Sequence, residues 1–134
     1  MNMSMIHHIC IQTDIYEDSL EFYTKILGFK LIKETKKFHS REFNSWLQLK
    51  DFMIELQTEK NGDKLKDWSS LNKGIVHMGF LVNDVEKEYN RIKKLNYNNF
   101  KIKNGKELYK VEYGYLFKVK APEGTEIEIR DKQI

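Results

Sequence analysis

Two histidines and two glutamates occupy matching places in the two halves of the sequence. Each histidine stands near the start of an apolar run, and each glutamate lies between aliphatic residues at nearly the same distance further along the chain. Imidazole and carboxylate groups together suit borderline divalent metals such as Ni, Co, Zn, Mn or Fe. Two ligands from each half would leave coordination positions open for water or substrate. The pattern therefore predicts a metal site with the ligands His8, Glu55, His77 and Glu128.

Each ligand taken alone has a commoner structural explanation. A strand glutamate between aliphatic residues usually faces solvent, and a single strand histidine is more often hydrogen-bonded structure than a ligand. The repeat of both residue types in both halves favours the metal site. His7 is left out, because strand alternation predicts that it points away from the face of His8. His39 falls in a predicted turn and is expected to be exposed.

The first half of the chain predicts one helix and four strands. A capping box formed by Asp14 and Glu17 starts the helix, and Gly28 ends it. Tyr16, Leu20, Tyr23 and Leu27 recur at helical spacing and form its buried stripe. The predicted strands cover residues 5–13, 29–38, 41–50 and 52–58.

The second half repeats this plan. Residues 60–73 are predicted to be a polar linker, with a short helix near 65–68. Asn83 and Glu86 stand at capping-box spacing before a second helical stripe that reaches Leu95. Strands are predicted at 75–82, 100–106, 113–120 and 125–130, the second of them being a lysine-rich edge.

Side-chain alternation along the strands assigns the predicted ligands to one face of each half. Glu55 alternates with Ile54 and Leu56, and Glu128 alternates with Ile127 and Ile129. If the helices cover the aliphatic faces, the histidines and glutamates remain on the uncovered faces.

Composition narrows the class of protein. The 134 residues are 40% hydrophobic, enough for a packed core, and no apolar run reaches the ~18 residues that span a bilayer. No signal peptide is recognised, and the single cysteine, Cys10, fits a reducing compartment, so we expect a cytoplasmic protein without a membrane partner. The net charge of +3 is spread along the chain and does not indicate nucleic-acid binding.

Two further segments carry a family resemblance. Residues 21–31 are E-F-Y-T-K-I-L-G-F-K-L, and residues 121–129 are A-P-E-G-T-E-I-E-I. Together with the histidines and glutamates, they make residues 6–130 resemble the vicinal oxygen chelate superfamily, the group of glyoxalase I, bleomycin resistance proteins and extradiol dioxygenases. The resemblance implies an α+β fold in which two βαβββ modules form a cup-shaped mixed sheet. One glyoxalase-like domain would then span 1–134, with modules at about 5–59 and 74–131.

The order of the ligands is most similar to the glyoxalase I branch, which binds metal through His, Glu, His and Glu. The resemblance implies a homodimeric lyase or isomerase that acts on a small α-hydroxycarbonyl or hemithioacetal through a metal-bound enediolate. Glu55 and Glu128 would be catalytic as well as ligands. One divalent ion per site is expected, with Ni, Co or Zn first and Mn or Fe also possible.

The sequence departs from that branch where glutathione would be held. Gln12 stands where glutathione-type enzymes have arginine, and Glu59 stands where they have asparagine, so another thiol or substrate is expected. The predicted substrate-binding residues are Gln12, Trp46, Met53, Tyr113 and Phe117. Two alternatives stay open. One is another metalloenzyme of this fold (an epimerase, a dioxygenase or an antibiotic-modifying thiol transferase), and the other is a non-catalytic small-molecule-binding resistance protein.

Overall fold

The computed structural model describes residues 2–132, and the chain divides into two units after Asp67. Each unit contains one four-stranded mixed sheet, and the strands of the two sheets follow the same order. This confirms the α+β class and the repeat of one strand-helix plan that the sequence predicts. Within residues 2–132, no helix has both the length and the apolar character needed to cross a membrane.

The first unit begins with a strand and a helix, and three further strands follow. These are β1 (His8–Thr13), α1 (Tyr16–Glu21) with a π-helical turn (Phe22–Ile26), β2 (Lys30–Phe38), β3 (Arg41–Leu49) and β4 (Phe52–Thr58). The spatial order is β1-β4-β3-β2, in which β1 runs parallel to β4 and the other pairs are antiparallel. The first strand of the unit therefore lies directly beside the last.

The second unit has the same arrangement with shorter strands. Its elements are β5 (His77–Leu81), α2 (Val85–Lys94), β6 (Leu108–Lys110), β7 (Tyr115–Lys120) and β8 (Glu126–Arg130). The spatial order is β5-β8-β7-β6, with β5 parallel to β8. Its first and last strands are again neighbours.

Alternation along the strands gives each sheet one apolar face. Ile54 and Leu56 of β4 are fully buried, as is Ile127 of β8, and these residues belong to the two cores. The helix of the first unit contributes both Phe22 and Tyr23, each almost completely buried. The two residues are adjacent in the π-helical turn that follows α1, and both rings pack into the core of the first unit.

The predicted start of each helix needs correction. No side chain caps α1 at Ile15, and Asp14 makes no capping bond; instead the buried hydroxyl of Thr13 accepts a hydrogen bond from the Ile15 amide. In the second unit Asp84, not Asn83, caps α2 by accepting from the Lys87 amide at 3.0 Å. Both helices therefore start one residue later than predicted. The predicted end of the first helix at Gly28 is confirmed by the left-handed φ of +85° at this residue.

Two predicted elements of the connecting segments are wrong. Residues 65–68 form no helix. Residues 100–106 form no strand, because the lysine-rich segment turns at Asn104 and makes only isolated bridges, and β6 follows it. Phe100 leaves the sheet pattern because its ring packs with Tyr89 and Phe117, and all three belong to one aromatic cluster.

Candidate functional site

The first histidine–glutamate pair lies on neighbouring parallel strands of the first unit. Glu55 of β4 is in register with Cys10 of β1, and His8 is two residues before Cys10 on the same face. The Nε2 atom of His8 is 3.8 Å from Oε1 of Glu55. Two residues that are far apart in sequence therefore meet because the first and last strands of the unit are adjacent.

The second pair has the same construction. Glu128 of β8 is in register with Gly79 of β5, and His77 is two residues before Gly79. The Nε2 atom of His77 is 3.7 Å from Oε1 of Glu128. The repeat in the sequence thus corresponds to one and the same position in two folded units.

The spacing within each pair fits a shared metal better than a direct hydrogen bond. Separations of 3.7 and 3.8 Å exceed the ~3.2 Å limit of an N–H···O bond. Bonds of about 2.1 Å to a tetrahedral metal would put two ligand atoms about 3.4 Å apart, a few tenths of an ångström closer. Among residues 2–132, no three His, Cys, Asp or Glu side chains are grouped to hold an ion, and each unit brings together one histidine and one glutamate.

His7 belongs to the surroundings of the first pair, contrary to the prediction from alternation. Its Nδ1 lies 2.8 Å from Nδ1 of His8, and its ring meets Trp46 edge-on at 5.9 Å. Strand β1 begins only at His8, so the alternation that would turn His7 away does not extend to it. In this hydrogen bond one of the two Nδ1 atoms donates and the other accepts. Because Nδ1 of His8 is used in this way, its Nε2 is the ring nitrogen that faces Glu55.

Charged groups surround the second pair. Arg130 Nη1 lies 3.6 Å from Glu128 Oε2, and Lys101 Nζ lies 3.1 Å from Glu126 Oε1. Glu126 is the register partner of His77 and only 1% exposed. Glu128 also acts on Tyr109, since partial burial first and the charge of Glu128 second raise the pKa of that phenol.

The predicted substrate-binding residues separate into two groups. Trp46 is in register with Glu55, Met53 is in register with His8, and Gln12 lies on the same face of β1, so these three adjoin the first pair. Phe117 is fully buried beside Ile129 on the opposite face, in the aromatic cluster, so it is a core residue and not a pocket wall. Tyr113 lies exposed in the turn between β6 and β7.

Arg41 is a site residue that the sequence analysis missed. Its Nη1 donates to Oε1 of Gln12 at 2.9 Å and to the carbonyl of Thr58 at 2.5 Å. With the Gln57 amide turned to donate to Asn44, its oxygen accepts from both Nη atoms at 3.2 Å. In residues 2–132, no carboxylate lies within 4.0 Å of this guanidinium. The sequence has no arginine at position 12 itself, but the guanidinium of Arg41 on β3 places a positive charge beside Gln12.

Cys10 lies between the first pair and Gln12, in surroundings that disfavour the thiolate form. Desolvation of the sulfur first, then the charge and hydrogen bond of Glu55, raise the pKa of Cys10 to about 11. Much of the residue is open to solvent, but the thiolate form is disfavoured beside a carboxylate. Cys10 thus reports on the charge of Glu55.

With this geometry in place, comparison with known proteins identifies the family. Residues 5–129 match the family model described as Glyoxalase/Bleomycin resistance protein/Dioxygenase superfamily. The chain belongs to this superfamily. None of the curated proteins compared with the chain matches it significantly by sequence.

Solved structures of the family share the fold at low sequence identity. A glyoxalase family protein from Enterococcus faecalis has a TM-score of 0.78 and 19% identity over 96% of this chain and 98% of that one. The trypanothione-dependent glyoxalase I of Leishmania major has a TM-score of 0.70 and 20% identity, over 96% and 87%. A mutant of the fosfomycin resistance protein FosX from Listeria monocytogenes, crystallised with Mn(II) and 1S,2S-dihydroxypropylphosphonic acid, has a TM-score of 0.74 and 16% identity, over 99% and 96%. Such likeness shows a common fold.

Proposed function

We propose that the protein is a metal-dependent lyase or isomerase of the glyoxalase I type, acting on a small α-hydroxycarbonyl or hemithioacetal. The observation that carries this proposal is the equivalent histidine–glutamate pair in each unit, at 3.8 and 3.7 Å. A chance arrangement would not repeat both the residue types and their register in two sheets. The family includes proteins of several activities, so the ligand set and its surroundings have to support the choice.

His8, Glu55, His77 and Glu128 would hold one divalent ion, with Ni, Co or Zn first and Mn or Fe next. When bound, such an ion supplies Lewis-acid polarisation of a substrate oxygen. Glu55 accepts the proton from the substrate carbon and returns it to the neighbouring carbon, so that the substrate is isomerised without net proton loss. Trp46 and Met53 provide apolar contacts beside the carboxylate and exclude water.

The two glutamates differ in their surroundings, and this favours Glu55 as the base. Glu128 has the Arg130 guanidinium at 3.6 Å, an ion pair that restrains the movement of its carboxylate. In the described part of the chain, Glu55 has no lysine or arginine within 4.0 Å; its close partners are His8 and the Cys10 thiol. Glu128 is then the anchoring ligand, and Glu55 is the carboxylate that moves.

Arg41 indicates that the substrate carries an anionic group. A guanidinium that contacts only neutral acceptors keeps its full charge, and the Gln12, Gln57 and Thr58 oxygens hold it in place. Gln12 lies four residues along β1 from His8 and two residues from Cys10, the register partner of Glu55, so the charge lies about 7 to 13 Å along the strand from the two members of the pair, at the ~3.3 Å rise of a strand residue. A substrate with a carboxylate at its far end and the reacting carbons at the metal fits this distance.

We further propose that the protein is a cytoplasmic homodimer. The two histidine–glutamate pairs of one site could come from one chain or from two copies of it. A homodimer allows each site to combine the first pair of one copy with the second pair of the other. The presence of a single cysteine is compatible with a reducing compartment.

Metal analysis of untagged protein purified without chelator tests the proposed function. We expect about one Ni, Co, Zn, Mn or Fe per site, lost in His77→Ala and retained in His39→Asn. His39 is a matched control, because it is an exposed turn histidine, and asparagine tolerates its left-handed φ of 47°. Absence of metal even after reconstitution would overturn the enzyme proposal and favour a small-molecule binder. Bound metal without conversion of any α-oxoaldehyde–thiol adduct would overturn the glyoxalase I assignment.

A further inference from the structure

Two buried polar atoms of the second unit lack a hydrogen-bond partner among residues 2–132. They are Nδ1 of His77 and Oε2 of Glu126. The two residues are register partners on the parallel strands β5 and β8, so their side chains leave the sheet side by side on one face. No hydrogen bond joins these two atoms in this structure, since no nitrogen of His77 lies within 4.0 Å of a Glu126 oxygen. Buried polar groups in folded proteins are nearly always paired, and rotation of these adjacent side chains toward each other would pair both atoms at once.

The first unit shows what such a contact does. There Nδ1 of His8, the equivalent ligand, is occupied by Nδ1 of His7 at 2.8 Å. That contact fixes the ring and leaves Nε2 directed at Glu55. His77 has no histidine before it, since Val76 precedes it, and Glu126 is the polar group that β8 places at its side.

Glu126 is also oriented by a second residue. Lys101 Nζ holds Oε1 at 3.1 Å, which leaves Oε2 as the unpartnered oxygen of a buried carboxyl group. A lysine on one oxygen and an imidazole on the other would use both oxygens of the group. Such an arrangement would give both oxygens of this 1% exposed carboxylate a partner.

We infer that Glu126 is a positioning residue for His77. By accepting a hydrogen bond from Nδ1–H, it keeps the proton on Nδ1 and leaves the Nε2 lone pair directed toward Glu128. Outer carboxylates of this kind orient metal-binding histidines and raise their basicity. The inference rests on the proposed function in one respect, that His77 is a metal ligand.

The tautomer of His77 tests the inference without metal. Protein labelled with 15N-histidine is examined at pH 8 after metal removal, and the long-range 1H–15N correlations of His77 are assigned with the His77→Ala variant. We expect the proton on Nδ1 in the wild type and its loss from that position in Glu126→Gln, whose amide is a weaker acceptor and can itself donate to Nδ1. Lys101→Met is the matched control, because it removes the ion pair and keeps the carboxylate, and it should retain the wild-type tautomer.

Three results would overturn the inference. They are a wild-type His77 with the proton on Nε2, a Glu126→Gln spectrum equal to that of the wild type, and an equal loss in Lys101→Met, which would assign the effect to the ion pair. If one variant does not fold, the tautomer of His77 in the wild-type protein still tests the inference, because a proton on Nε2 would contradict it.

Metal affinity gives the second measurement. Competitive titration of Zn²⁺ or Ni²⁺ should show affinity lowered about 10- to 100-fold in Glu126→Gln and little changed in Lys101→Met. Unchanged affinity in Glu126→Gln would overturn the positioning role. A wild-type protein that binds no metal but shows the Nδ1 tautomer would overturn the proposed function while supporting the contact.

Discussion

The charge of Glu55 can be measured through the thiol of Cys10. The two residues are register partners on β1 and β4, and the chain contains a single cysteine, so thiol chemistry reports on one place in the site. Desolvation and Glu55 raise the pKa of Cys10 to about 11 from the ordinary thiol value of 9.0. At pH 8 the thiolate fraction is then about one in a thousand, against about one in ten for an unperturbed thiol, roughly a 100-fold difference.

We predict that Glu55→Gln lowers the pKa of Cys10 and accelerates its alkylation. The substitution keeps the size of the side chain and removes both effects of Glu55, while burial of the sulfur and the opposing influence of Arg41 remain. Each unit by which the pKa of Cys10 falls gives about tenfold more thiolate at pH 8. A thiolate of lower pKa is also a weaker nucleophile, by about threefold per unit, so the alkylation rate rises about threefold per unit. Burial is the largest cause, so the pKa should stay above that of a free thiol.

The assay is the rate of iodoacetamide alkylation between pH 7 and 12, followed by mass spectrometry under conditions where the protein stays folded. The midpoint of the profile gives the pKa directly. Glu42→Gln is the control, since it removes an exposed carboxylate from the neighbouring strand β3 without touching the register of Glu55. Identical profiles for the wild type and Glu55→Gln would refute the placement of the Glu55 carboxylate beside the thiol.

Three further predictions concern the core, the assembly and the second helix. Phe117→Ala should lower the free energy of unfolding by about 3–5 kcal/mol in urea denaturation, because the ring is fully buried; a loss below 1 kcal/mol would contradict its place in the core. Mixing inactive His8→Ala and His77→Ala proteins after reversible dissociation should restore about one quarter of the wild-type activity if each site uses two copies, and none if each site lies within one chain. Asp84→Ala should cost about 1 kcal/mol by losing the cap of α2, whereas Asn83→Ala should change stability little; equal losses in both would contradict the cap.

Local patterns in the sequence predicted the fold and the two pairs because both follow from strand periodicity. Alternation assigns Glu55 to the face opposite Ile54, and the repeat of the strand-helix plan assigns Glu128 to the same place in the second unit. Periodicity fails at the ends of elements. It assigned His7 to the face opposite His8, although β1 begins only at His8. The capping-box spacing likewise located the capping residue of α2 one position early, at Asn83 instead of Asp84.

Contacts between distant residues could not be predicted from such patterns. Arg41 reaches Gln12 across 29 positions of the sequence, and the pairing depends on where β3 begins relative to β1. Phe117 was expected in a pocket because it is aromatic, but its register with Ile129 decides which face it takes. In the sequence, Glu126 has the pattern of a solvent-facing strand residue. Its register with His77 and the burial of its carboxylate depend on the pairing of β5 with β8.

The unequal charges around the two pairs lead to a division of roles between the units. Around Glu128 and Glu126 are Arg130 and Lys101, which fix both carboxylates, whereas Glu55 has a neutral thiol as its neighbour. We therefore expect Glu128→Gln to weaken metal binding about tenfold or more. Glu55→Gln should retain more of the metal and lose about 10²- to 10⁴-fold in kcat, the usual contribution of a general base. Parallel measurement of metal content and turnover in the two variants separates the roles. The reverse order, with metal lost in Glu55→Gln and turnover alone lost in Glu128→Gln, would show that the guanidinium does not decide which glutamate moves, and the base would then be Glu128.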